Sequence, residues 1–332
     1  MKFKGSIKNL KIDTAFIIAA VGGIIALGIR LFQTFSGLID FETGFYTQES
    51  ITTYILYAVM VLTAFGIFLV CTMSGEIPQE KMPTKKSPVT AVLVGAFAVT
   101  LLVTAISEIS SFGNIYLTFN PPESRFIVPE SERYSINFFI SSMPYLMKIG
   151  ALPKLLAGVF AVLSSAFFGV LALGFAGIRK ADLTKIKFMS LCPLFWATFR
   201  MVERFTRTIS FINVSSLFLE MFMIAFMMMF FMYFAQMSSQ VNAKAISFKI
   251  FGYGLIATVI SAVVVIPKLL LFVVNSSYRD LANEGLLECP IEIADLGFCL
   301  FAVSFLVLCL TVPRIKNMTL KETEKLIRQE EE

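Results

Sequence analysis

Arg200, Glu203, Arg204 and Arg207 recur at three- and four-residue spacing inside the otherwise apolar stretch 188–210. At about 100° per residue they share one helical stripe, with Trp196 on the same side, while Leu191, Leu194, Phe195, Val202 and Phe205 gather opposite. Guanidinium groups attract an anionic or zwitterionic group, and a carboxylate interleaved among them orients them. That is the chemistry of solute binding rather than of bond breaking.

The residues needed for most other chemistry are missing. The chain has no histidine, which excludes Ser-His and Cys-His nucleophiles, HExxH zinc sites and histidine proton relays. Cys71, Cys192, Cys289, Cys299 and Cys309 form no CxxC pair, and neither GxxxxGK nor GxGxxG occurs. Met221, Met223, Met227, Met228, Met229 and Met232 wrap around their helix instead of converging, so they read as packing and not as a copper site. An enzyme, a cofactor, a bound metal and a nucleic-acid partner are all unexpected.

Something must hold the charged stripe. With 57% apolar and 15% charged residues among 332, the chain cannot cover a soluble globule, and its partner is the lipid bilayer. Apolar runs at 14–33, 51–73, 89–109, 155–178, 216–236, 250–274 and 293–312 are each long enough to span it as helices.

The side of each loop follows from Lys and Arg, which accumulate in the cytoplasm. The amino terminus (Lys2, Lys4, Lys8, Lys11), loop 75–88 (Lys81, Lys85, Lys86) and loop 179–187 (Arg179, Lys180, Lys185, Lys187) are basic; loop 37–50 carries Asp40, Glu42 and Glu49 with no base. If 188–210 only lay on the surface, the basic carboxyl tail and the loop holding Lys244 and Lys249 would face out, and the acidic loop 276–290 would face in. Letting 190–210 cross removes all three inversions. The expected fold is an all-α polytopic bundle of eight transmembrane helices at the cell membrane, with both termini cytoplasmic; the alternative is seven crossings plus an in-plane amphipathic helix. The single transmembrane domain covers 1–312, followed by a charged tail at 313–332.

Each unpaired charge near the bilayer centre costs about 2.5–3.5 kcal/mol, so the stripe must face the bundle interior or a wet cavity. Ser190 is placed to cap this helix, with Pro193 in its first turn. Topology brings Arg30, Glu108, Glu220 and Lys268 to the same outer depth, Lys268 directly after Pro267. Each also has a plainer reading: snorkelling for Arg30 and Lys268, an interfacial position for Glu108, and a first-turn acid for Glu220. The stripe itself could be a buried ion-pair network that only fixes packing. Counting Arg30, Arg200, Arg204, Arg207 and Lys268 against Glu108, Glu203 and Glu220 leaves surplus positive charge for a small anionic or zwitterionic solute.

Loop 110–153 is too long for a connector, and its apolar part, with Phe138, Phe139, Ile140, Met143 and Leu146, suits an interfacial helix or a lid. Gly22 and Gly23 suit close helix approach. The tail suits a short solvated helix or the docking of a partner subunit, which keeps a second role open: a non-transporting scaffold or sensory subunit whose intramembrane charges are structural.

Overall fold

Each apolar run long enough to cross a bilayer is helical, because in hydrocarbon the backbone must satisfy its own hydrogen bonds. The computed structural model describes residues 12–40, 46–48, 50–74, 76–78, 82–83, 86–118, 134–178, 183–207, 215–239, 246–284, 291–311 and 314–316. In chain order these form α1 (Asp13–Phe35), α2 (Ile51–Met73), β1 (Glu76–Pro78), α3 (Pro88–Thr118), α4 (Ile136–Lys148) and α5 (Ala151–Ala176). A 3-10 segment (Leu183–Leu191) then leads into α6 (Cys192–Arg207), α7 (Ser215–Ser238), α8 (Ile246–Val274), α9 (Ser276–Glu284), α10 (Ile293–Leu310) and β2 (Arg314–Lys316).

Among the described residues seven helices, α1, α2, α3, α5, α7, α8 and α10, are long and apolar enough to cross a membrane. The protein is a multi-pass membrane protein built as a helical bundle. Ile17, Ile24, Val61, Phe65, Val92 and Val99 are exposed along these helices, as side chains facing lipid should be.

Several helix boundaries differ from expectation by a few residues, among them α5 and α8, which each start four residues early, and two differences have a visible cause. Residues 110–118 extend α3 rather than opening the loop, and the extension is held by ring contacts: Phe112 stacks on Tyr116 at 5.7 Å, and Tyr116 meets Phe138 and Phe139 of α4, each at 6.0 Å. Ser190 does not cap α6. It lies within the 3-10 segment and donates to the Lys187 carbonyl at 2.6 Å, so the preceding turns deliver the chain into the helix.

Close approach uses small residues. A methyl group added at Gly22 of α1 would lie 2.1 Å from the Thr63 hydroxyl of α2, so the two backbones meet where glycine leaves room. Between α4 and α5 the chain reverses at Gly150, whose φ of 75° is a left-handed conformation that glycine adopts without strain.

The centre of the bundle is aromatic. Phe97 of α3 packs on Phe168 of α5 at 4.8 Å and stacks on Phe301 of α10 at 5.2 Å, while Trp196 of α6 reaches both Phe97 and Phe231 of α7 at 6.4 Å. Beyond the helix ends, β1 and β2 pair antiparallel with Ile77 opposite Ile315, joining the segment after α2 to the segment after α10.

Helix α4 starts at Ser135, whose hydroxyl accepts from the Phe138 amide at 3.1 Å. It buries Ser142 and Leu146 and exposes Ile136, Ile140, Met143 and Met147 along one stripe. That stripe is apolar, which suits a helix lying at the interface.

Candidate functional site

Helix α6 packs between α5 and α7, and Arg200, Glu203 and Arg204 of its charged stripe face inward. Arg200 is only 2% exposed and gives Asp295 of α10 two hydrogen bonds, at 2.6 and 3.1 Å. The planar guanidinium matches the two carboxylate oxygens, the strongest geometry open to such a pair. Its second partner is Glu292, in the turn leading into α10. Cation–π contact with Trp196, at 4.9 Å, ties the same guanidinium to the aromatic core.

One turn along α6, Arg204 takes the other Glu292 oxygen at 2.8 Å and approaches Glu220 of α7 at 3.5 Å. Glu220 in turn holds Lys268 of α8. Asp295, Arg200, Glu292, Arg204, Glu220 and Lys268 thus form a continuous ladder joining α6, α7, α8 and α10. Charges this deeply buried persist only when paired, since removing one partner strands the other in a low-dielectric interior.

Glu203 looks elsewhere on the stripe, toward Lys154 at the start of α5, with an N–O separation of 4.0 Å. Glu108 of α3 is 7% exposed, and its Oε2 has no hydrogen-bond partner among the described residues. Between these groups lies a partly enclosed cavity of about 210 Å³, lined by Thr104, Ser107, Glu108, Lys154, Glu203, Arg204 and Glu292 together with Val103, Ile291 and Ile293. No residue of α4 is part of its wall, so the described part of the long third loop does not roof this cavity. A larger groove of about 550 Å³ between α2, α7 and α8 is lined by Tyr57, Phe68, Phe218, Phe226 and other apolar side chains. No Asp, Glu, Lys or Arg is among its lining residues, which suits lipid tails rather than a polar solute.

The structure therefore brings together Glu108, Arg200, Glu203, Arg204, Glu220 and Lys268. Glu108 is buried inside the bundle, and Lys268 is partly buried against Glu220. Arg30 is buried as well, in the α1–α2 contact, where it donates to Gln33 at 3.4 Å and Gln33 donates to Thr52 at 3.2 Å. The side chain of Arg207 lies outside the described residues, as do Cys289, segment 119–133 and the tail from 317 onward.

The expected excess of positive charge does not hold. Among the described side chains around the ladder and cavity, the acids are Glu108, Glu203, Glu220, Glu292 and Asp295, and the bases are Lys154, Arg200, Arg204 and Lys268. The missing members were Glu292, Asp295 and Lys154, all at helix starts. Asp295 could have been found by the rule that exposed α6: an acid inside an otherwise apolar run needs a buried cation.

Among the described residues no group of acids and cysteines converges tightly enough to hold a metal. No protein-family model, curated protein or solved structure matches this chain.

Proposed function

We propose that this protein binds a small anionic or zwitterionic solute in the polar cavity beside α6, at the extracytoplasmic end of a bundle of eight crossing elements. The observation that carries the reading is the cavity itself: five ionisable side chains from α3, α5, α6 and the head of α10 share it, and one buried carboxylate oxygen there has no partner. Buried polar atoms are usually satisfied, and Glu108, unlike Glu220 and Glu292, is in no ion pair that would account for its open oxygen among the described residues.

Parity supports eight crossings. The β1–β2 pairing joins the segment after α2 to the segment after α10, which favours both ends lying on one side of the membrane. With seven crossings those ends fall on opposite sides; counting α6 as a crossing brings them together. Ser190, before α6, lies 3.4 Å from Ser239, after α7, which supports antiparallel α6 and α7. The basic loops give that side as cytoplasmic, in a cell membrane.

The layer of Phe97, Phe168, Trp196, Phe231 and Phe301 closes the bundle below the cavity, so the site suits binding, and carriage across the membrane would need this layer to rearrange. The second reading, a scaffold or sensory subunit, is favoured by the saturation of Arg200 and Arg204 with carboxylates. A thermal-unfolding screen of the purified protein against small anions and zwitterions separates the two. Binding predicts a saturable rise in unfolding temperature that Lys154→Met reduces; a flat response across the panel supports the scaffold.

A further inference from the structure

The arginines of this site already have their anions. Arg200 is held by Asp295 and Glu292, and Arg204 by Glu292 and Glu220. What Glu108 lacks is a donor. It is nine-tenths buried, lines the cavity, and presents an Oε2 that no described residue meets with a hydrogen bond. Beside it the wall offers two hydroxyls, of Thr104 and Ser107, and the carboxylates Glu203 and Glu292, with Lys154 and Arg204 on the same wall. An unpaired buried carboxylate oxygen is expensive, so a ligand that donates to it is favoured by the desolvation already incurred.

We propose that Glu108 binds the ammonium group of the solute, which makes the solute class a small primary amine that also carries a carboxylate: a zwitterion of a few heavy atoms, not a simple anion. This rests on the solute-binding reading above and narrows it. Glu108 accepts from the ammonium, Thr104 and Ser107 lie within the same wall to accept from its remaining hydrogens, and Lys154 receives the solute's carboxylate. The cavity of about 210 Å³ admits an amino-acid-sized molecule. A metal ion in this place is disfavoured, since the carboxylates do not gather into a ligand set among the described residues.

The test uses the full-length protein in lipid nanodiscs, titrated with glycine, methylammonium and acetate while unfolding temperature is followed. Glycine and methylammonium should stabilise it, glycine more strongly, and acetate least. Glu108→Gln should weaken glycine and methylammonium at least tenfold and leave the response to acetate unchanged. Lys154→Met should act with opposite signs, weakening glycine and strengthening methylammonium by removing a repelling cation. This second variant carries the test if Glu108→Gln does not fold. Stabilisation by acetate alone would overturn the ammonium assignment and leave the broader solute-binding reading standing. An undiminished glycine response in Glu108→Gln, or unchanged responses in Lys154→Met, would overturn the assignment too. If none of the three probes shifts unfolding, the assignment fails, and the wider panel of anions then decides the broader reading.

Discussion

Arg200 and Asp295 are separated by 95 positions in sequence and joined by two hydrogen bonds of 2.6 and 3.1 Å in a site that solvent barely reaches. The pair fixes α10 against α6. Asp295→Ala should destabilise the protein by about 3–5 kcal/mol, because the guanidinium would lose its bidentate partner while remaining buried. Replacing both residues with apolar ones of similar volume, Arg200→Met with Asp295→Leu, should recover much of that loss. Denaturant titration of the two variants in detergent micelles checks the contrast, and equal losses in both would show that the pair is not isolated from the rest of the ladder.

The Gly22–Thr63 contact gives a second expectation. Gly22→Ala should cost about 1–3 kcal/mol, as overpacking does, since its methyl would meet the Thr63 side chain at 2.1–2.9 Å. Gly28→Ala on the same helix meets nothing within 4 Å and should be neutral or slightly stabilising. Combining Gly22→Ala with Thr63→Ala should restore part of the loss. Thermal unfolding of these three variants and of Thr63→Ala alone measures this directly, and additivity of the two changes would mean that the contact is not responsible.

The paired strands predict a cross-link. In a background lacking the native cysteines, Ile77→Cys and Ile315→Cys occupy opposed positions of an antiparallel pair, where Cα atoms lie about 4.5–5.5 Å apart and a disulfide can close. Mild oxidation of the purified double variant should produce an intramolecular disulfide, seen as a reductant-sensitive change in gel mobility. Failure to cross-link, with each single cysteine still reactive toward maleimide, would remove the pairing and the parity argument together.

Apolar runs alone were enough to locate seven helices, and α2 matches its expected bounds because its ends are set by Ser50, whose side chain accepts from the Thr52 amide, and by the break at Ser74. The charged stripe of α6 was equally legible, since four charges on one face of an apolar helix admit few environments. Its partners were not. Glu292 sits at a helix start, where an acid has an ordinary explanation in the positive end of the helix, and Asp295, inside the apolar run, signals a buried cation without saying that it lies 95 residues earlier. Lys154 was hidden differently: the expected helix began at 155, one residue after it, whereas α5 starts at Ala151. Arg30 shows the opposite error: depth along the bilayer put it with the others, but depth carries no information about position around the bundle, and its bonds run through Gln33 toward α2.

The central claim is that α6 crosses the membrane with its arginines turned inward, and labelling of single cysteines in a cysteine-free background on intact cells tests it most directly. Tyr134→Cys, exposed ahead of α4, and Lys86→Cys, exposed ahead of α3, mark the two sides. With eight crossings, Lys249→Cys at the start of α8 and Ile315→Cys in β2 should resist a membrane-impermeant maleimide until the cells are permeabilised, as Lys86→Cys does. If instead Lys249→Cys and Ile315→Cys react on intact cells together with Tyr134→Cys, α6 does not cross, and the buried ladder has been assigned to the wrong architecture.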